Sequence, residues 1–154
     1  MYSEQKITQE FGEEKTFGAV AQISSFINEN QYVIHKGKLA SFFVGNMSDI
    51  VSKKLLKFCE ISKNSGLDIQ YKSNIKEKIW EKFIFLSAYS GITTLTKKSI
   101  GEIFASTALK DNFVSAMIET YNLSKFFKVK FKVNPIDYWL EKIKKMPFDM
   151  TSSM

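Results

Sequence analysis

The stretch that decides the fold runs from Ile79 to Ile103 and reads IWEKFIFLSAYSGITTLTKKSIGEI. After Lys82 no charged residue occurs until Lys97, so residues 83–96 carry no charge. An uncharged helical run of this length in a globular protein is typical of a buried helix. A lysine in the first turns of such a helix lies between water and a low-dielectric interior, where its pKa can be lowered. The sequence therefore predicts a buried helix with one tunable amine near its start.

Composition narrows the class of protein. A chain of 154 residues is long enough for one hydrophobic core, and 44% apolar with 14% aromatic residues excludes a disordered chain. A membrane-spanning helix needs about 18 apolar residues in a row, and serine and threonine break the longest apolar run before that length. The N-terminal residues are charged where an export signal requires an apolar core. We therefore expect a cytoplasmic protein with no membrane partner.

The positive charge comes from lysine alone. The formal net charge is +6, and arginine, the preferred residue for forked contacts to phosphate and guanine, is absent from the sequence. Four lysines alternate with apolar residues between Lys125 and Val133. We interpret this segment as a helix end followed by a half-buried extended stretch, and we rank nucleic-acid binding last among the possible functions.

Generic catalytic motifs are missing from the sequence. No two glycines lie two positions apart, so the chain contains no G-x-G-x-x-G phosphate loop. His35 is the only histidine and Cys59 the only cysteine, so we expect no metal site. His35 fits a residue at a sheet edge, and Cys59 fits an inert residue in the apolar stripe of a helix.

The first part of the chain is predicted to contain strands. Phe17–Ile27 is apolar and rich in small residues. Tyr32–His35 and Leu39–Val44 are short β-type runs separated by Lys-Gly-Lys, which predicts a hairpin with Gly37 in its turn. Leu67–Tyr71 fits one more short strand.

One helix is predicted between these strands. It should begin near Ser48, with Asp49 placing a negative charge near its N-terminus, and it should end at Gly66. Spacings of three and four residues define an inner face, which consists of Ile50, Val51, Leu55, Phe58, Cys59 and Ser62.

The rest of the chain is predicted to be helical. Ser73 or Asn74 caps the long helix, and Gly91 within it indicates a kink or a close helix contact. Asparagine followed by proline at 134–135 is a favoured helix start. The predicted helices after the long one cover Ile100–Ala105, Lys110–Phe127 and the residues from Pro135 to Met146.

The order of several short motifs resembles one enzyme family. The motif Trp80-x-Lys82 lies in the first turns of the long helix. Two further motifs follow it in the sequence, Thr94-Leu95-Thr96 and Gly101-Glu102-Ile103. Two flanking segments complete the pattern, FGAVAQISSFINENQYVIHKGKLASFFVG upstream and MPFDMTSSM downstream. Together they resemble ketopantoate reductases (2-dehydropantoate 2-reductases), from the last strands of the nucleotide-binding domain into the helical C-terminal domain.

The resemblance implies a fold and a domain organisation. We expect an α+β fold, mostly α, with residues 1–70 as the remnant of a Rossmann-type domain. Residues 71–154 would form an incomplete helical C-terminal domain. The chain would then be a fragment that lacks the front of the nucleotide-binding domain with its glycine-rich loop.

The resemblance also implies a chemistry. The family reduces the keto group of 2-dehydropantoate with NADPH, and its lysine in Trp-x-Lys donates the proton, which is Lys82 here. The second serine of the Ser-Ser-Met segment binds substrate, which is Ser153, and Ser90 occupies another substrate-binding position. By pattern alone, Lys82 also fits an ordinary solvated lysine that follows Lys76 and Lys78.

Two positions depart from the family pattern and leave a second function open. Well-known members carry asparagine four and eight positions beyond the lysine, where this chain has Leu86 and Ser90. We expect the chain alone to bind NADPH poorly and to be inactive without a complementing half. The alternative is a non-enzymatic helical interaction module derived from the same scaffold. In both cases unpaired strand edges predict a homodimer or a complementing chain.

Overall fold

The computed structural model describes residues 2–48 and 50–152, without the side chains of Tyr2 and residues 36–39. The chain divides into two compact units, Met1–Ile79 and Trp80–Met154. The boundary between the units falls inside one helix. The predicted division at residue 70, with a Rossmann remnant before it, stays a prediction.

Helices dominate the described residues, and the α+β, mostly α class is confirmed. The predicted helices 100–105 and from Pro135 are present, and one helix at the N-terminus was missed. The helices are α1 (Tyr2–Phe11), α2 (Lys53–Asn64), α3 (Ile75–Thr96), α4 (Ile100–Ala105), α5 (Thr107–Phe126) and α6 (Pro135–Ile143), with a 3₁₀ turn at Glu13–Lys15. The strands are β1 (Phe17–Ile27), β2 (Val33–Asn46) and β3 (Ile69–Tyr71).

The three strands form one mixed sheet in the order β1-β2-β3. β1 and β2 are antiparallel, from Phe17 opposite Asn46 to Ile27 opposite Val33. β3 is parallel to the second half of β2, with Ile69 opposite Phe42. β1, which the sequence predicted correctly, therefore lies at one edge of the sheet.

The predicted hairpin turn at Gly37 is wrong. β2 continues through Gly37, and the reversal occurs earlier, between β1 and β2. There Gln31 N donates to Asn28 O, and the Asn28 side-chain oxygen accepts from Tyr32 N, each at 2.9 Å. Asparagine can close a turn through its own side chain, and this local bonding decides the position of the reversal.

α2 begins later than predicted. Ser52 is its N-cap and accepts a hydrogen bond from Leu55 N at 3.3 Å. Ile50 precedes the helix and is exposed, and Asp49 lies outside the described residues. The stop at Gly66 is confirmed, because Gly66 adopts a φ of 84° directly after the helix C-cap.

The first unit has a small core of Val20, Phe43 and Ile75. Gly45 allows the start of α3 to approach the sheet, because an added Cβ would overlap Lys72 O and the Ile75 side chain. Cys59 is buried on α2, as predicted, and burial raises the pKa of its thiol. Phe58, predicted for the same inner face, is 50% exposed.

The second unit has a larger core built around α3. The Trp139 ring stacks on Phe85 at a centroid distance of 4.2 Å, and its Nε1 donates to Glu81 O at 2.6 Å. This contact attaches α6 to α3. The buried members of the core are Ile84, Phe85, Ala88, Tyr89, Ile100, Ile103, Phe113, Met117, Ile136, Trp139 and Ile143.

Three predicted features of the helical part have different outcomes. Asn74 does cap α3, since its side-chain oxygen accepts from Glu77 N at 3.3 Å. Gly91 makes no close helix contact, because a Cβ there would meet nothing within 4 Å. α5 begins at Thr107, three residues earlier than predicted, because Ser106 supplies its N-cap.

Candidate functional site

One face of α3 carries the candidate site. With 3.6 residues per turn, Lys82, Leu86, Tyr89 and Thr93 follow one another along the same side of the helix. The sequence predicted this helix, but its uncharged residues are not all buried: Ile84 is fully buried, whereas Phe83 and Leu95 are exposed. The site residues named below all belong to the unit Trp80–Met154.

Lys82 is half-buried, and burial lowers the pKa of its ammonium group. Desolvation disfavours the charged form of a lysine, so its proton is released more readily than from an exposed lysine. The assignments of Lys82 as a proton donor and as an ordinary solvated lysine both stay predictions.

The two positions that depart from the family pattern lie beyond Lys82. Leu86 is 36% exposed, so an apolar surface follows the amine by one helical turn. Ser90 is half-buried in the next turn. Leu86 offers no hydrogen bond to a polar molecule, whereas Ser90 retains a hydroxyl group.

Tyr89 is a member of this face that sequence reasoning missed. Its side chain is 4% exposed, and its hydroxyl has no hydrogen-bond partner among the described residues. Burial raises the pKa of Tyr89 to about 12, and its ring stacks on Phe85 at 5.1 Å. The spacing of seven residues from Lys82 is the sequence signal that could have found it.

The C-terminal segment reaches this face through Thr93. The Thr93 and Ser152 hydroxyl groups are hydrogen-bonded at 2.8 Å. Ile100 N and Gly101 N also donate to Met150 O and Phe148 O, at 2.8 and 3.0 Å. Ser153, the predicted substrate-binding serine, lies outside the described residues, but the residue before it is bonded to the Lys82 helix.

The described residues do not fit a dinucleotide cofactor. A phosphate site of that kind needs glycines that leave room for a ligand beside a helix N-terminus. At Gly18 and Gly45, in contrast, the space for a Cβ is taken by Ile75, and Gly45 also faces Lys72 O. A groove in the first unit, lined by Lys15, Leu55 and other residues, contains none of the predicted site residues.

The described residues include neither a metal-ligand cluster nor a membrane-spanning helix. Among residues 2–48 and 50–152, no three histidine, cysteine or acidic side chains are close enough to hold a metal ion. Within that same part of the chain, no helix has the length and apolar character required to cross a membrane.

Comparison with known proteins defines the class. The second unit is an all-helical domain built on a buried helix with a half-buried lysine near its start. The family described as "Ketopantoate reductase PanE/ApbA C terminal" matches residues 74–154, and the chain belongs to this family.

Individual relatives support the same fold. The "Uncharacterized oxidoreductase YkpB" of Bacillus subtilis (strain 168) is 24% identical over 98 residues, which cover 64% of this chain and 32% of that protein. The 2-dehydropantoate 2-reductase structure from Geobacter metallireducens GS-15 matches 98% of this chain and 50% of its own, with a TM-score of 0.86 and 20% identity.

A dimeric ketopantoate reductase from Staphylococcus aureus is also similar. It matches 89% of this chain and 45% of its own, with a TM-score of 0.73 and 18% identity. The chain thus spans about half the length of these solved structures and about a third of the curated relative.

Proposed function

We propose that the chain supplies the substrate-binding and proton-donating part of a ketopantoate-reductase-like oxidoreductase. The reaction would reduce the keto group of a 2-oxo acid to a hydroxyl group, with 2-dehydropantoate as the substrate that the family resemblance implies. The observation that carries this proposal is Lys82, whose half-buried ammonium has a lowered pKa in a chain of this family.

Lys82 would act as the general acid. Reduction at a carbonyl carbon leaves negative charge on the oxygen, and a nearby ammonium group can both stabilise that charge and donate a proton. A lysine with a lowered pKa donates at a pH nearer to neutral than an exposed lysine does. After donating its proton, Lys82 would be reprotonated from solvent, because its side chain is only partly buried.

Ser90 and Ser153 would bind the substrate. The hydroxyl of Ser90 lies two helical turns beyond Lys82, where it can donate or accept a hydrogen bond. The bond between Thr93 and Ser152 supports the assignment of Ser153, because it attaches the neighbouring residue to the same helix.

The reductant would be held outside the residues that the structure describes. NADPH is the hydride source that the resemblance implies, and the described residues of this chain do not fit it. We therefore propose that the chain acts with a complementing nucleotide-binding half or assembles as a homodimer. A related ketopantoate reductase is described as dimeric.

An activity assay tests the proposal. The purified chain is mixed with NADPH, ketopantoate and the separately produced nucleotide-binding half of a full-length relative, and NADPH absorbance is followed. We expect turnover in the mixture and at least about a hundredfold loss with Lys82→Ala, the scale of general-acid catalysis. Lys110→Ala, an exposed lysine on α5, is the matched control and should retain the rate.

A second candidate function rests on Leu86. An apolar, 36% exposed side chain one turn after Lys82 suits an interaction surface better than a site for a hydroxylated acid. In that case the chain is a non-enzymatic module. The assay then shows no turnover with any added nucleotide-binding half, even when the substrate is a 2-oxo acid with an apolar side chain.

A further inference from the structure

Hydrogen bonds attach the last described residues to the helical unit. Phe148 O and Met150 O accept hydrogen bonds from the first two backbone amides of α4, at 3.0 and 2.8 Å. Further along the chain, the hydroxyl groups of Ser152 and Thr93 are hydrogen-bonded at 2.8 Å. The bonds to α4 use backbone atoms, whereas the bond to α3 depends on the hydroxyl group of one side chain.

The Thr93 side chain is fixed in place on α3. Its Oγ1 donates to the carbonyl oxygen of Tyr89, one turn earlier on the helix, at 2.7 Å. A β-branched side chain in a helix has few allowed rotamers, and this bond to the preceding turn selects one of them. A hydroxyl group offers one donor and two acceptor positions, so Thr93 can bond to both Tyr89 O and Ser152. Thr93 therefore connects the C-terminal segment to the backbone of the helix.

Burial makes the hydroxyl group of Thr93 difficult to replace. Thr93 is 4% exposed, so water has little access to its side chain. A hydrogen bond in a low-dielectric interior is stronger than one in water, and a buried group that loses its partner is costly. Loss of the Thr93 hydroxyl should therefore release Ser152 from α3.

We propose that Thr93 is a positioning residue of the substrate site, which acts through Ser152 on the segment that carries Ser153. The inference rests on the proposed function, in which Ser153 binds the 2-oxo acid. Ser153 directly follows Ser152, so a fixed Ser152 restricts where the Ser153 side chain can lie. A misplacement of about 1 Å at a binding residue is enough to weaken the binding of a substrate. Lys82 and Thr93 belong to the same helix, so one rigid element positions both the proton donor and this segment.

Thr93→Val tests the kinetic role in the mixture of the chain, the nucleotide-binding half, NADPH and ketopantoate. Valine has nearly the shape of threonine but no hydroxyl group. We expect KM for ketopantoate to increase about tenfold, the effect of one lost hydrogen bond, and kcat to change less than about twofold because Lys82 is untouched. Thr93→Ser keeps the hydroxyl group and should bring KM back to within about threefold of the wild-type value.

Thr96→Val is the matched control. Thr96 lies on the same helix and makes the same kind of bond, from its Oγ1 to Ile92 O at 2.7 Å. Its loss should leave KM unchanged if the attachment of the C-terminal segment is what matters. Circular dichroism checks that every variant keeps the helical content of the wild type.

A double variant tests whether Thr93 acts through Ser152. If it does, Thr93→Val combined with Ser152→Ala should raise KM no further than Ser152→Ala alone. Additive effects of the two substitutions overturn the proposal. A Thr93→Val variant that lowers kcat at constant KM, or a Thr96→Val variant that raises KM equally, overturns it as well.

Hydrogen exchange of the chain alone tests the attachment without any activity. Ile100 N donates to Met150 O, so its amide should exchange faster in Thr93→Val than in the wild type or in Thr96→Val. Unchanged exchange shows that Thr93 does not hold the segment and overturns the proposal. If exchange changes as expected but the wild-type mixture shows no turnover, the proposed function fails and the kinetic role of Thr93 fails with it.

Discussion

At the scale of single residues, Lys82 connects burial to both stability and chemistry. Its lowered pKa means that the folded chain releases this proton at a lower pH than the unfolded chain. Between those two pKa values the unfolded state binds more protons, so stability must rise with pH in that window. Below the window the folded state carries the full desolvation cost of the charged amine, and above both pKa values the cost disappears.

Lys82→Met should therefore stabilise the chain at neutral pH by less than about 1 kcal/mol, since the amine is half exposed and partly screened. The wild type should approach the stability of the variant as the pH rises toward the ordinary lysine value of 10.5. Urea unfolding at several pH values measures the difference. Lys110→Met is the control, and a Lys82 variant less stable than the wild type at neutral pH would contradict the desolvation argument.

At the scale of elements, caps and close packing attach the helices to one another. Ser99 and Glu102 form a capping box at the start of α4, with Ser99 N donating to the Glu102 carboxylate at 2.8 Å. The same helix start binds the C-terminal segment through Ile100 N and Gly101 N. Phe148 occupies the space where Gly101 lacks a side chain. The segment before Ser152 is thus positioned by backbone bonds and by one glycine.

Two glycine substitutions should therefore have opposite effects. Gly101→Ala places a methyl group in the Phe148 ring and should destabilise the chain by about 1–3 kcal/mol. Gly91→Ala meets nothing within 4 Å in the middle of α3 and should stabilise it by about 0.5–1 kcal/mol. Thermal and urea unfolding of the two variants measures both effects. If Gly101→Ala leaves the stability unchanged, Phe148 is not held against α4.

At the scale of the whole molecule, each compact unit has a core of its own. Val20, Phe43 and Ile75 form the first, whereas Phe113 and Met117, both fully buried, belong to the second. Because separate cores can open separately, damage to one need not expose the other.

Core truncations in the two units test this independence. Phe113→Ala should cost about 3–5 kcal/mol and reduce amide protection in α4, α5 and α6, while β1 and β2 keep theirs. Ile75→Ala, the reciprocal control, should reduce protection in the strands. Hydrogen exchange monitored by mass spectrometry reports both regions. If either variant lowers protection evenly along the chain, the two units unfold as a single cooperative body.

Local pattern was enough for much of the fold. The buried helix with Lys82 near its start, the strand Phe17–Ile27 and the Asn134–Pro135 helix start were all predicted correctly. These features depend on charge spacing, apolar runs and caps, which act between residues a few positions apart. The sequence also indicated the family through the order of motifs that begins at Trp80, and the match over residues 74–154 confirmed it.

Tertiary structure decided the features that depend on distant neighbours. The hydrogen bond between Thr93 and Ser152 joins residues 59 positions apart, and no periodicity in the sequence predicts it. The pattern of residues 32–44 suits either two short strands or one long strand, and pairing with β1 selected the long strand. The hydroxyl of Tyr89 became buried, without a hydrogen-bond partner among the described residues, only when α5 and α6 packed around α3. Sequence determined which segments form helices and strands because those preferences are local, whereas burial and contact at the site arise only from packing.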